Sequence, residues 1–320
     1  MNKQYWLFPL IKSLITVAVI FINIEAHAVC NTNTGGATPQ TQTISPGVIK
    51  VQRDVPVGTT IATFTTAQTD TALSCTGGTS GFYSEMVLFP IPSGTPHVYQ
   101  TNVTGVGVMI NSGSNYFEAP ASFTSITGPI ALNFVPRTIT FVKTGGINSG
   151  TLNSGLLARI YGNGDNVTAV AFNITSTQII QLSCSITTPI LNFPIGDVLV
   201  SKFGTSVGTI PSGAENTQNL GLNCDAGANI NVTLHGTQNP DVSTASVLAL
   251  TGQGSADVAS GVGVQLLYNS TPLELNNRIV LKQSASGQET FPLTARYYQT
   301  KTAVTPGKAN TTATLDLTYQ

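Results

Sequence analysis

The sequence predicts an all-β chain folded as two β-sandwich domains set end to end. Three observations carry that expectation. Apolar residues alternate with polar ones or fall in short runs, and the three-to-four spacing of an amphipathic helix is nearly absent. Gly, Pro, Asn and Ser interrupt these runs about every 8–12 residues, the rhythm of sandwich strands and turns. Cysteines fall two in each half, Cys30 with Cys75 and Cys184 with Cys224.

In the first half the alternation marks strands at Ile49–Val51, Thr60–Phe64, Glu85–Phe89, Val106–Ile110, Ile130–Val135, Thr138–Val142, Leu156–Tyr161 and Val167–Ile174. Pro56-Val57-Gly58, Ser93-Gly94-Thr95-Pro96, Asn111-Ser112-Gly113 and Gly145-Gly146 supply turn residues between them. The pattern restarts near Ile179, with strands at Ile186–Phe193, Gln218–Cys224, Ile230–His235, Gly263–Tyr268, Thr290–Tyr298 and Ala309–Tyr319. Asn173–Gln181 joins the halves and is short enough to hold them end to end. The expected division is a leader at 1–28, one domain at 29–176 and a second at 177–320.

The leader is read from its chemistry. Lys3 and Lys12 give positive charge ahead of the apolar run Leu14–Ile22, and Ala26-His27-Ala28 is an A-x-A cleavage site. The mature chain is therefore expected to start at Val29 and to be secreted. The apolar run is shorter than the roughly 20 residues of a membrane helix. An even number of cysteines behind such a leader reads as disulfides. Four cysteines allow three pairings, of which Cys30–Cys75 with Cys184–Cys224 is the local one, worth about 2–5 kcal/mol per bridge. A metal site is disfavoured, because no C-x-x-C occurs and His97 and His235 lie in different halves.

Charge excludes some partners. The chain has 13 Lys and Arg against 14 Asp and Glu, and charged residues make up 8% of it. Nothing resembles a basic patch, so nucleic acid and anionic membrane are poor partners. The abundant Thr, Ser, Asn and Gln suit hydrogen bonding to neutral ligands.

The C-terminal twelve residues alternate almost without fault. Ala309, Thr311, Ala313, Leu315, Leu317 and Tyr319 share one face; Asn310, Thr312, Thr314, Asp316, Thr318 and Gln320 share the other. A terminal strand with an open edge exposes backbone donors and acceptors beside its apolar face.

The wider context of that strand is specific. Thr217–Cys224 (TQNLGLNC), Gly261–Leu266 (GVGVQL), Leu293–Tyr297 (LTARY), the penultimate Tyr319 and Gly307, fourteenth from the end, occur in order. With Cys184, they resemble the pilin domain of chaperone–usher fimbrial subunits, in particular the tip adhesins of the mannose-binding type 1 kind. The resemblance implies an incomplete immunoglobulin-like sandwich lacking its last strand. It also implies the partners: a periplasmic pilus chaperone that lends a strand, an outer-membrane usher, and an adjacent fimbrial subunit whose N-terminal extension replaces the chaperone strand. Ala309, Thr311, Ala313, Leu315, Leu317 and Tyr319 would wall the acceptor groove, and the carboxylate of Gln320 would be anchored on the chaperone. Ordinary subunits of that family begin with a donor arm. The expected start at Val29-Cys30 shows none, which implies a place at the fibre tip, reached by way of the periplasm.

Residues 29–172 resemble the receptor-binding domain of fimbrial tip adhesins through Cys30, Cys75, the stretch Val98–Gly107 and the final hairpin. The expected activity is attachment of bacteria to a host or surface receptor, with a glycan among the options. Mannose specificity is not expected: Val29 precedes the first cysteine by one residue, and Thr76-Gly77-Gly78-Thr79 follows Cys75 in place of an Asn-Asp pair. The hairpin Gly162–Asn166 remains the candidate site. Asn163, Asp165 and Asn166 could bond sugar hydroxyls, and Tyr161 could stack on a ring, although N-G-D-N is also ordinary turn chemistry. Phe82 and Tyr83 form a second aromatic candidate, with a place in the core as the commoner fate. The one tryptophan, Trp6, lies in the leader. The stretch Tyr99–Gly107 reads as a strand with a glycine bulge.

An enzyme is the rival class, and the sequence argues against it. There is no G-x-S-x-G, no H-E-x-x-H and no complete nucleotide fingerprint, and neither mature histidine sits in a recognisable catalytic motif. No cofactor is expected. A tip initiator without a receptor, and an adhesin for a matrix protein, are the alternatives within the same family.

Overall fold

Two strands that run side by side and change sheets together shape the first half. In the computed structural model, which describes residues 29–32, 40–68, 72–76, 80–126, 130–131 and 136–320, Gln40–Ile44 pairs in parallel with Thr168–Ile174. After a break at Ser45-Pro46-Gly47 and at Thr175-Ser176, the same two segments pair again as Val48–Gln52 and Thr177–Leu182. Gly47 turns with φ +71°, a region that costs glycine nothing. The bonds Thr175 N–H to Ile44 O and Gln178 N–H to Gly47 O, both 2.9 Å, carry the pairing across the break.

The first of these pairs closes one edge of a five-stranded sheet ordered Ser122–Ile126, Ser80–Met86, Gly155–Gly162, Thr168–Ile174, Gln40–Ile44. Facing it, Thr60–Thr65, Thr138–Lys143, Val106–Ser112 and Tyr99–Gln100 form the second layer. Phe141, Ile139, Val108 and Ile110 from that layer meet Phe172, Leu157 and Ile160 from the other, all at most 1% exposed. Each such side chain contributes about 1.5–3 kcal/mol by burial. Val29–Thr32, Ala72–Thr76 and Ile130–Ala131 form a small third sheet. The Cys30–Cys75 bridge links directly opposed positions within it.

The second half is a second sandwich. One sheet runs Cys184–Ile186, Glu215–Cys224, Gly287–Gln299, Val262–Tyr268, Thr271–Pro272; the other runs Arg278–Gln283, Asn229–His235, Thr314–Tyr319. Leu222, Ile230, Phe291, Leu293 and Tyr319 fill its core. The Cys184–Cys224 bridge again joins directly opposed residues. One 3-10 turn, Val200–Lys202, is the only helical element among the described residues.

The structure differs from the sequence expectations at five elements. The joining segment Asn173–Gln181, expected only to be short, is itself largely strand: Thr177–Leu182 pairs with Val48–Gln52 and Gly150–Leu152. Tyr99–Gly107 is not a bulged strand but a hairpin, with Tyr99 opposite Val108 and Gly105 at φ +78° against the Gly146 carbonyl. Strand Glu85–Phe89 lies earlier, at Ser80–Met86. In the second half, strand character stops at Ile186 where Phe193 was expected, and starts at Thr314 where Ala309 was expected. The leader at 1–28, the Gly77–Thr79 loop and residues 132–135 of the expected strand Ile130–Val135 lie outside the described residues.

The halves meet at the end of the last strand. Asp54 and Tyr319 exchange bonds: Asp54 N–H donates to Tyr319 O at 2.9 Å, and Tyr319 N–H donates to Asp54 Oδ2 at 2.8 Å. The Arg53 guanidinium lies 4.5 Å from the Tyr319 ring centroid. Gln52 adds bonds to Gly227 O and Asn229 N–H.

Candidate functional site

Leu191–Val200, outside every strand, faces Val304–Thr311, whose ladder pairing is limited to isolated bridges to Val258 and Ser260. Leu191, Phe193 and Ile195 alternate with exposed Asn192, Pro194 and Gly196, and their side chains pack against the second core. Opposite them Val304, Ala309 and Thr311 form the other wall. Between lies a groove of about 690 Å³ whose floor includes Val262, Val264, Ala295 and Tyr297. Ile190 is 86% exposed and Leu199 70% exposed beside it. An alternating apolar wall without a ladder partner is the geometry that accepts an added strand.

The terminal residues divide between this groove and the sheet. Ala309 and Thr311 line the groove, and Thr311 Oγ1 donates to Ala249 O at 2.6 Å. Ala313 is exposed. Leu315 and Leu317 are half-buried and stand opposite Leu234 and Val232 on the neighbouring strand. Tyr319 is 1% exposed, and its hydroxyl donates to Cys184 O at 3.3 Å. Burial pushes its phenol up, with the Arg53 charge opposing. Gln320 is exposed; its side chain bonds Arg278 and the Asp54 carbonyl, and Asn229 Nδ2 donates to its backbone oxygen.

At the other end of the molecule, the hairpin residues bond mainly within their own domain. Asn163 Oδ1 accepts from Cys30 N–H at 2.8 Å and Gly81 N–H at 3.4 Å. Asp165 Oδ2 accepts from Thr32 N–H at 2.8 Å, and its Oδ1 from Val167 N–H at 3.1 Å. Asn166 takes φ +55°, with Oδ1 3.4 Å from Arg159 Nη2. The turn thus grips the strand Val29–Thr32 through side chains and through Gly164 N–H to Cys30 O. Gly162 and Gly164 permit this closeness, since a Cβ would lie within 2.0 Å of Cys30 O or Asn31 Oδ1. Tyr161 is half-buried: its ring stacks on Tyr83 with centroids 5.1 Å apart, and the Arg159 guanidinium lies 4.3 Å from its centroid. Phe82 is in the core, whereas Tyr83 points outward with Tyr161.

Two family descriptions match in tandem: "MrkD-like receptor binding domain" over residues 43–178, and "Fimbrial protein" over 172–320. The chain belongs to the chaperone–usher fimbrial tip adhesins. A "Fimbria adhesin protein" of Klebsiella pneumoniae is 28% identical over 286 residues, 85% of this chain and 89% of that one. Among solved structures, the receptor-binding domain of the plasmid-born adhesin MrkD1P of Klebsiella pneumoniae is 23% identical, covers 50% of this chain and 99% of its own, and superposes with a TM-score of 0.41. The CupB6 tip adhesin of Pseudomonas aeruginosa is 13% identical, covers 91% and 93%, and gives 0.39. This adhesin, like its family, is a binding subunit and not an enzyme. Sequence reading missed Ile195 and Val304 in the adhesin's groove, and Phe123 beside Tyr83. The alternation Leu191, Phe193, Ile195 was available as a signal for the first; nothing in a Ser- and Thr-rich segment marked Phe123.

Proposed function

We propose that the second half of this adhesin is completed by a strand from another chain, first a periplasmic chaperone and then the adjacent subunit delivered through the usher, and that the first half binds a host or surface receptor from the fibre tip. The observation that carries the proposal is the groove of about 690 Å³ between Leu191–Val200 and Val304–Thr311. The wall Leu191–Ile195 alternates in its side chains and has no ladder partner among the described residues, while the facing wall is tied on its far side by bridges from Thr305 to Ser260 and from Lys308 to Val258. A strand laid between them would cover Leu191, Phe193 and Ile195 and give that wall a ladder partner. The strand Val29–Thr32 is bonded into its own domain by a disulfide and by Asn163 and Asp165, so it is not itself free to be donated to a neighbour. Asn163 and Asp165 shape the receptor end of the first domain, and Tyr161 and Asn166 face solvent there as the contact candidates.

The test is titration of the full mature chain with a peptide of alternating apolar residues. Saturating peptide is expected to raise the melting transition of the second half and leave that of the first unchanged. Binding at a thousandfold excess over Kd stabilises by about 4 kcal/mol. A second half that melts at the same temperature with and without every donor peptide would overturn the reading.

A further inference from the structure

The outer face of the five-stranded sheet in the first half carries a row of rings. Phe123 stands directly opposite Tyr83, and Tyr83 opposite Tyr161. Centroid separations are 5.1 Å for both pairs, the tyrosines nearly parallel at 21° and Phe123 tilted by 50°. Phe123 is 43% exposed. Its position depends on Gly81: a Cβ there would lie 2.4 Å from Phe123 Cζ and 2.3 Å from Thr124 O. Glycine lets the phenyl ring lie over the strand, which turns the ring's other face to solvent. Tyr161, in contrast, already meets Tyr83 and Arg159. The open ring surface of the row is therefore Phe123.

The rest of this face is uncharged in effect. Among the described residues its one ion pair, Arg159 Nε to Glu85 Oε2 at 2.5 Å, is closed on itself. Beyond Tyr161 the row continues to Thr168, and the neighbouring positions are Ala171, Asn173, Thr41 and Thr43. Phe123 and Thr41 stand on opposite edge strands, about 19 Å apart at the usual strand spacing, so rings at one side and hydroxyl and carboxamide groups at the other match an oligosaccharide of several pyranoses, each with an apolar face and a hydroxyl edge. A charged ligand would have to compete with the Arg159–Glu85 pair, and among the described residues of the face no unpaired charge would reward it.

We propose that this sheet face binds a neutral glycan laid across the strands, with Phe123 as the ring platform and the hydroxyls directed toward Thr168 and Thr41. The proposal rests on the adhesin reading and moves the contact from the hairpin tip to the sheet face.

The experiment applies the full mature chain to an array of neutral, sialylated and sulfated glycans at low and high salt, and measures attachment of fimbriated cells in parallel. Neutral glycans are expected to bind with little salt dependence. Phe123→Ala is expected to weaken binding about tenfold or more, and Phe123→Tyr to retain it. Thr41 is exposed, so Thr41→Glu keeps the fold and is expected to weaken binding as well. Hits confined to acidic glycans, no glycan hit at all, or neutral-glycan binding unchanged in both Phe123→Ala and Thr41→Glu overturn the proposal. If cells attach and Phe123→Ala leaves attachment intact, the adhesin reading stands and this surface falls. If wild-type cells attach to nothing, the adhesin reading itself fails.

Discussion

The two halves place the same covalent staple in opposite settings. Each disulfide joins directly opposed residues of neighbouring antiparallel strands, with Cα atoms 4.0 Å apart. In the first half the staple fixes a small sheet beside a core whose two layers face each other, Phe141 and Phe172 both at 0% exposure. In the second half it fixes the sheet end beside Tyr319, while the opposite flank lies open between Leu191–Val200 and Val304–Thr311. Chain length and composition do not separate the halves; backbone pairing does. The first spends its polar side chains on closing itself, as Asn163 and Asp165 do on Val29–Thr32. The second leaves a row of apolar side chains and unpaired backbone for a partner.

The largest expected effect tests that contrast directly. Replacing Cys184 and Cys224 by Ser removes about 2–5 kcal/mol from a half that lacks one strand's worth of burial. That half is expected to be unfolded and protease-sensitive, and to recover when a donor peptide is supplied. Replacing Cys30 and Cys75 costs a similar amount, but the closed core should keep the first half folded with a lowered melting temperature. Equal tolerance of the two losses, read by limited proteolysis and near-ultraviolet circular dichroism, would erase the distinction.

How much of this was legible in the sequence follows the same line. Side-chain alternation reports which face is buried, so Leu156–Tyr161 and the inward set Leu315, Leu317 and Tyr319 could be read from it, while Thr138–Val142 was legible as a strand but is buried on both faces. It does not report whether a backbone has a ladder partner. Ile186–Phe193 and the start of Ala309–Tyr319 therefore read as strand throughout, whereas pairing stops soon after Ile186 and Asn310 meets only the Thr251 N–H outside any strand. Long-range commitments were also invisible. Asn163 and Asp165 looked like open turn residues because their partners lie 133 residues away. Phe123 looked incidental because its setting is made by a glycine in another strand.

The joint between the halves should respond to acid. Burial works against the Asp54 charge, but the Arg53 hydrogen bond, the Tyr319 N–H and the charges of Arg53 and Lys143 outweigh it and hold the carboxyl below its usual range. A folded-state value below the unfolded one contributes stability that is present above the ordinary Asp range, near 3.9, and is lost as pH falls through the folded value. The contribution is about 1 kcal/mol, given that both side chains are partly exposed. Hydrogen exchange at the Tyr319 amide is expected to accelerate as pH is lowered through that window, after correction for intrinsic rates. Asp54→Ala should give fast exchange at every pH. An Asp54→Ala chain that protects this amide as well as wild type would show that the exchange of bonds with Asp54 does not hold the joint.

The smallest effect sharpens the comparison at the hairpin. Asn163 accepts from a part-buried Cys30 N–H, and its removal leaves that donor without a partner; Asn163→Ala is expected to cost about 1 kcal/mol. Asp165 makes its bonds in exposed surroundings, where water replaces it, so Asp165→Ala should cost less. Both losses should appear in the melting transition of the first half and not of the second. Attachment should change only in proportion to the unfolded fraction, because these oxygens are committed to Val29–Thr32. Should Asn163→Ala melt like wild type yet abolish attachment, the turn would be the receptor contact and the self-closing account of the first half would have to be given up.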